Sequence, residues 1–134
     1  MRNVEKARQW LVHAGSNLAQ AKLGEGKAEV LLDDLCFQAQ QATEKALKAL
    51  CVLLNIQFPR THDIGYLIDQ IRETGMEIPE DINSARILTT YAVTSRYPSE
   101  NPPATKDEYE QAQKLASEVY RWVHQKVKNA EQQP

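Results

Sequence analysis

The longest helix that the sequence predicts is the feature that most constrains the fold. The stretch from about Ala28 to Asn55 contains neither proline nor glycine, and at ~1.5 Å per residue it would be roughly 40 Å long. Its apolar residues recur at steps of three and four, as on one face of a helix. That stripe is formed by Leu31 or Leu32, Leu35, Ala39, Ala42, Ala46, Ala49 or Leu50, and Leu53. The alanine-rich face predicts a central helix against which neighbours pack closely.

The same periodicity predicts four other helices. Their ranges are about Asn3–Leu23, Ile64–Gly75, Pro79 to Arg96 or Tyr97, and Thr105–Asn129. Glycines, prolines and a capping-box pattern mark their ends. No segment shows the sustained alternation of a strand. The sequence therefore predicts an all-α fold, an up-and-down bundle of four to five helices whose short connections make neighbours antiparallel.

Length and charge narrow the class of protein. The chain of 134 residues suits one domain, which we place at residues 1–129, followed by a polar, disordered tail at 130–134. Apolar residues make up 42% of the chain, enough for a core, and the formal net charge is −2. That charge argues against a nonspecific polyanion binder, although it is compatible with a local basic site.

The cysteines and the apolar runs predict a cytoplasmic protein without a membrane segment. Cys36 and Cys51 fall on one predicted helix, about 22 Å apart along its axis, too far for a disulfide. We expect both to be buried thiols in a reducing compartment. The first residues lack the apolar run of a signal peptide. The longest apolar run, Ala49–Leu54, is too short to span a bilayer.

No motif predicts a metal or a cofactor. His13 and His124 lie on different helices with no acid or cysteine in ligand spacing beside them, and there is no His-Glu-x-x-His or Cys/His cluster. A glycine-rich phosphate loop is also absent. We therefore expect neither a metal site nor a bound cofactor.

Polar residues of the central helix form a second stripe. Gln38, Gln41, Lys45 and Lys48 recur at steps of three and four, and Glu44 stands four residues before Lys48. Such a pair contributes only about 0.2–0.5 kcal/mol when it is exposed. Periodicity alone favours a solvated helix face, and the alternative is a surface that binds a ligand.

His62 lies in the turn between two predicted helices. Thr61 or Asp63 can cap the helix that follows, which favours a structural role for His62 in the turn. The alternative is proton transfer, because an imidazole titrates near neutral pH.

Arg96 is the candidate with the most specific chemistry. It stands near the end of the fourth predicted helix, where its planar guanidinium could bind a phosphate. Alternatively it could hydrogen-bond the last carbonyls of its own helix or pair with Glu44. The neighbouring Tyr97 could stack on a base or simply pack half-buried.

Three of these segments together resemble the HEPN family. They are QQATEKALKAL at positions 40–50, Thr-His-Asp-Ile at 61–64 and Arg-Tyr-Pro at 96–98. The resemblance covers nearly the whole chain and implies a bundle of four or five helices, often a homodimer with a cleft near the arginine. In the RNase branch, four to six residues separate that arginine from a histidine. Here Asn101, Pro102 and Pro103 occupy those positions.

The resemblance implies two functions that differ in chemistry. The leading hypothesis is a non-catalytic or weakly catalytic protein. It would bind a nucleotide or RNA, or act as the partner of a minimal nucleotidyltransferase in a toxin–antitoxin-like pair. The nucleotide or RNA site would include Arg96, Tyr97, Asn101, Lys45, Lys48, Glu44 and His62. The alternative is a metal-independent RNase toxin that uses Arg96 with a substitute base such as His62 or Glu44. A third hypothesis is a purely structural helical dimer.

Overall fold

Helices account for the regular structure of the part of the chain that the computed structural model describes, which is residues 2–92 and 102–133. They are α1 (Arg2–Leu23), α2 (Leu32–Leu53), α3 (Ile64–Glu73), α4 (Glu80–Asn83), a 3-10 helix (Ser84–Tyr91) and α5 (Lys106–Glu131). Within those two ranges there is no strand. The all-α prediction is therefore confirmed.

α2 is the centre of the bundle, as predicted. It packs against α1, α5, α3 and the 3-10 helix. Its alanine stripe is fully buried at Ala39, Ala42, Ala46 and Ala49. Because these side chains are so small, α1 and α5 can approach the α2 backbone closely.

α2 is shorter at both ends than the sequence predicted. It begins at Leu32 rather than Ala28, because residues 27–30 form a turn in which the Val30 amide donates to the Lys27 carbonyl at 3.1 Å. Leu31 consequently lies outside the core, with 63% of its surface exposed. The helix ends at Leu53, and Asn55 takes a φ of 60° just beyond it.

The fourth predicted helix changes character midway. It starts after Pro79 as expected, but α4 ends at Asn83 and a 3-10 helix continues to Tyr91. Ser84 Oγ donates to the Glu80 carbonyl at 2.9 Å, and Thr90 Oγ1 donates to the Ile87 carbonyl at 3.1 Å. Hydroxyls that bond backbone carbonyls in this way compete with regular α-helical bonding. The predicted end at Arg96 or Tyr97 lies outside the described residues.

α5 begins at the predicted capping box. Thr105 Oγ1 accepts from the Glu108 amide at 3.1 Å, and Glu108 Oε1 accepts from the Thr105 amide at 2.9 Å. The helix continues to Glu131, beyond the predicted end at about Asn129. The buried Tyr109 hydroxyl donates to the Ala21 carbonyl at 2.9 Å and so joins α5 to α1.

Both cysteines are buried, and no disulfide joins them. Burial raises the pKa of the Cys51 thiol to about 12, so it is protonated and unreactive at neutral pH.

Among the described helices, none combines the length and the apolar character that crossing a membrane would require.

The start of α3 lies against the 3-10 helix. The Ile64 amide donates to Thr89 Oγ1 at 3.0 Å. α3 and the 3-10 helix also both pack on α2. The turn that carries His62 is therefore held where these three helices meet.

Candidate functional site

The carboxylate of Glu44, in the middle of α2, is the centre of a buried polar cluster. Only 3% of Glu44 is exposed. Its Oε1 accepts from His62 Nδ1 at 2.8 Å and from Gln40 Nε2 at 3.0 Å, and its Oε2 accepts from Lys48 Nζ at 2.9 Å. A buried carboxylate needs such partners, because an unpaired charge in the interior is very costly.

The donors around Glu44 keep it ionised. Burial by itself would raise the pKa of this carboxyl, but the hydrogen bonds from Lys48, His62 and Gln40 together lower it below its ordinary value of 4.5. Because an ionised carboxylate can only accept, the bond from His62 must be donated by Nδ1–H. The histidine is thus fixed in orientation and tautomer.

Lys48 is enclosed rather than offered to a ligand. It is 8% exposed, and its ammonium lies 5.8 Å from the centroid of the Trp10 ring and 5.7 Å from that of Phe58. The two rings meet edge to face at 6.2 Å. Lys48 therefore combines an ion pair with cation–π contacts. The expectation of a solvated face with an exposed Glu44–Lys48 pair is wrong for these two residues.

Gln40 belongs to the cluster although the sequence analysis did not single it out. It is fully buried; its Nε2 lies 3.4 Å from the His62 carbonyl, and its Oε1 accepts from Gln41 Nε2 at 2.7 Å. The available signal was the spacing of Gln40, Glu44 and Lys48, which places all three on one side of α2. Gln40 thus holds both the carboxylate and the backbone of the turn.

His62 is the exposed member of the cluster. Its side chain is 66% exposed although its partner carboxylate is 4% exposed. The turn around it is fixed by its neighbours: Thr61 Oγ1 accepts from the Asp63 amide at 3.0 Å, and Asp63 caps α3 by accepting from the Tyr66 amide at 3.1 Å. Of the two predicted caps, Asp63 is therefore the one used. These hydrogen bonds fix the turn, and the turn holds the imidazole exposed to solvent.

The structure divides the residues that the sequence grouped into one site. Glu44, Lys48 and His62 come together, but the Lys45 ammonium donates instead to Asn17 Oδ1 of α1 at 2.9 Å. Lys45 also lines a separate pocket between α1 and α2. The remaining candidates, Arg96, Tyr97 and Asn101, lie outside the described residues.

The cluster can orient a base or hold an anion. A histidine whose Nδ1–H is bonded to a carboxylate has its other nitrogen available to accept or donate a proton. In the described ranges, there is no group of three or more His, Cys, Asp or Glu side chains that could hold a metal. His62 and Glu44 offer hydrogen bonding and proton transfer.

Comparison with known proteins places the chain in a family. A model of the HEPN domain matches residues 7–128. The crystal structure of TT1696 from Thermus thermophilus is 34% identical, with a TM-score of 0.75, over 90% of this chain and 98% of that one. The archaeal HEPN homologue ST0689 is 26% identical, with a TM-score of 0.71, over 90% of this chain and 97% of that one.

A third structure agrees in fold alone. It is an HEPN domain protein from Thermotoga maritima, 21% identical, with a TM-score of 0.58, over 96% of this chain and 98% of that one. None of the curated proteins compared with the chain matches it.

Removing one partner of the buried Glu44–Lys48 pair should lower the free energy of unfolding more than removing one partner of an exposed ion pair. We expect Glu44→Gln to lower the free energy of unfolding by about 3–5 kcal/mol, because Lys48 is left charged and buried. The double variant Glu44→Gln/Lys48→Met should cost less than the sum of the two single variants. Chemical denaturation of the wild type, the two single variants and the double variant measures this.

The matched control is an exposed pair with the same spacing. Lys106 and Glu110 approach to 4.0 Å, with side chains 82% and 56% exposed, so Glu110→Gln should have no measurable effect. Additive effects of the single variants at Glu44 and Lys48 would contradict the buried ion pair.

The Glu44 contribution should disappear in acid. Because the folded-state pKa lies below the ordinary value of 4.5, the ionised carboxylate stabilises the fold above that pH, and this stabilisation is lost as the pH falls through the folded-state pKa. The difference in unfolding free energy between wild type and Glu44→Gln should therefore be constant at neutral pH and narrow below 4.5. A difference that stays constant in acid would show that folding does not lower the pKa of Glu44.

Proposed function

The chain belongs to the HEPN family, and on that premise we propose that it binds RNA or a nucleotide at the surface around His62, without catalysis or with weak catalysis. The observation that supports this most is the exposed imidazole fixed by the buried Glu44 carboxylate at 2.8 Å. A group held rigidly before the ligand arrives loses little conformational entropy on binding. The neutral Nδ1–H tautomer leaves Nε2 as an acceptor for a ribose hydroxyl or a base N–H, and the imidazolium donates from Nε2 to a phosphate oxygen.

Arg96, which follows the 3-10 helix in the sequence, is the second phosphate-binding group of the proposal. Thr89, near the end of the 3-10 helix, accepts from the Ile64 amide beside the turn. From Ala92 the chain has four residues to Arg96. Arg96, Tyr97 and Asn101 belong to the proposed surface on the sequence pattern alone, the arginine for phosphate and the tyrosine for a base.

The residues after Arg96 favour binding over cleavage. Asn101 occupies a position where the RNase branch has histidine. An amide can hydrogen-bond a phosphate, but it cannot act as a general base.

Lys48 is removed from the predicted binding cleft, because its ammonium is enclosed by Glu44, Trp10 and Phe58.

Two partners are part of the proposal because of the family resemblance. One is a second copy of the chain, which would form a homodimer with the His62 surface beside the interface. The other is a minimal nucleotidyltransferase in a toxin–antitoxin-like pair. A small nucleotidyltransferase gene beside the gene for this chain would support the second partner.

A second candidate function is favoured by one specific contact. The hydrogen bond between Glu44 and His62 is the arrangement in which a carboxylate orients a histidine base. In a metal-independent RNase, His62 would take the proton from the 2′-OH as that oxygen attacks the adjacent phosphorus. The bond from phosphorus to the 5′-oxygen would break, which leaves a 2′,3′-cyclic phosphate, and the departing 5′-oxygen would take a proton from water. Arg96 would stabilise the charge that develops on the phosphate oxygens.

Binding should depend on His62 and Arg96. We expect His62→Ala and Arg96→Ala each to weaken binding of fluorescently labelled ATP, GTP or a short RNA about tenfold at low salt, because each removes a charge-assisted or directed hydrogen bond. His124→Ala and Arg121→Ala, exposed residues of α5, are the matched controls and should bind as the wild type does. Fluorescence anisotropy gives the Kd values. Equal affinity in all five proteins would show that the ligand binds elsewhere, and no binding by any of them would favour a purely structural dimer.

Cleavage tests the second candidate with the same variants. If His62 replaces the missing histidine, wild-type protein incubated with total RNA and no added metal should cleave it, and both His62→Ala and Arg96→Ala should lose that activity. Denaturing gels measure cleavage, and growth arrest on expression provides an independent readout. Cleavage that persists in His62→Ala would remove this residue as the base, and RNA left intact by every protein would refute the RNase.

A further inference from the structure

A pocket of about 440 Å³ opens between α1 and α2, on the side where Lys45 lies. It is lined by Lys6, Gln9, Trp10, His13 and Lys45. None of these residues bonds to the Glu44 carboxylate, so the pocket is separate from the surface around His62. Its volume falls in the range of small-molecule sites.

The pocket is built from both helices. Lys6, Gln9, Trp10 and His13 recur at steps of three, one and three along α1 and share one of its faces. Lys45 faces them from α2, and its ammonium is held by Asn17 Oδ1 at 2.9 Å. Asn17 Nδ2 in turn donates to Gln38 Oε1 at 2.7 Å. The Lys45 cation is thus positioned by a chain of neutral side chains.

Trp10 forms a fixed aromatic wall. Its ring is held against the Lys48 ammonium at 5.8 Å and the Phe58 ring at 6.2 Å. The indole also lines the pocket. A planar ring held in this way offers a surface on which a nucleobase can stack.

The charges of the lining define the ligand. Two of the five residues are lysines, one is a histidine and none is acidic, although the chain as a whole carries a net charge of −2. Two ammonium groups suit a phosphate, and the indole suits a base.

We propose that this pocket binds a nucleotide unit, with its phosphate between Lys6 and Lys45 and its base against Trp10. The site goes beyond the proposed function because it uses a different surface from His62. The unit could be a free mononucleotide or one residue of a single-stranded RNA, and both present the same phosphate and base.

Trp10 itself can report the binding. The chain has two tryptophans, and Trp122 contacts Lys126 on α5, so Trp122→Phe leaves Trp10 as the single tryptophan fluorophore. We would titrate this protein with AMP, with hexaadenylate RNA and with inorganic phosphate. A saturable change with AMP would identify the free nucleotide, and one with the RNA only would identify the strand.

Two lysine variants and one control test the assignment. In the Trp122→Phe background, Lys6→Ala and Lys45→Ala should each raise the Kd about tenfold, since each removes a charge-assisted hydrogen bond. Lys114→Ala, an exposed lysine of α5, should leave it unchanged. Lys6 is exposed and away from the core, so its variant tests the site even if Lys45→Ala disturbs the contact with Asn17. Thermal melts confirm that each variant is folded.

Three results would overturn the proposal. They are no saturable change with AMP or RNA, an equal response to inorganic phosphate, and an equal loss in Lys114→Ala. Lys6 is exposed on α1 and bonds no member of the Glu44 cluster, so Lys6→Ala tests this pocket and leaves the His62 surface intact. An unchanged Kd in Lys6→Ala would refute the pocket alone, whereas unchanged binding in both His62→Ala and Arg96→Ala would refute the His62 surface, so the two failures are distinguishable.

Discussion

The buried negative charge of Glu44 is the constraint that the rest of the site depends on. A carboxylate that is 3% exposed can stay ionised only if donors replace the water it has lost. Lys48 and Gln40 supply donors from the same helix, and His62 supplies one from the turn before α3. The position of that turn, and with it the start of α3, is therefore tied to the middle of α2.

The same constraint decides which groups are left for ligands. Glu44 and Lys48 neutralise each other, and the aromatic rings of Trp10 and Phe58 cover the ammonium. The main role of Glu44 and Lys48 is thus structural. The cluster exposes the imidazole of His62 to solvent. The carboxylate of Glu44 sets the orientation of that ring and is itself scarcely accessible to a ligand.

The helical core could be predicted because it depends on local spacing. Ala39, Ala42 and Ala46 are buried as their periodicity required, and the capping box at Thr105 begins α5 as expected. The change of the fourth helix to 3-10 geometry was missed. It depends on which backbone carbonyls accept from the hydroxyls of Ser84 and Thr90, and the spacing of apolar residues does not show this. The burial of Lys48 was missed for a different reason: its cover comes from Trp10 and Phe58, and spacing along α2 carries no information about residues on other segments.

Consecutive residues of α2 serve different surfaces because successive side chains of a helix are rotated by about 100°. Glu44 turns toward the His62 turn, whereas Lys45 turns toward α1 and bonds Asn17. Lys48 lies between these two directions, since its ammonium bonds Glu44 and lies near the Trp10 ring. One ion pair thus fixes the base of the His62 surface and the wall of the Trp10 pocket. The sequence predicted Glu44, Lys45 and Lys48 as parts of one binding site. In the fold, Glu44 supports the His62 surface, Lys45 lines the Trp10 pocket, and Lys48 contacts both Glu44 and Trp10.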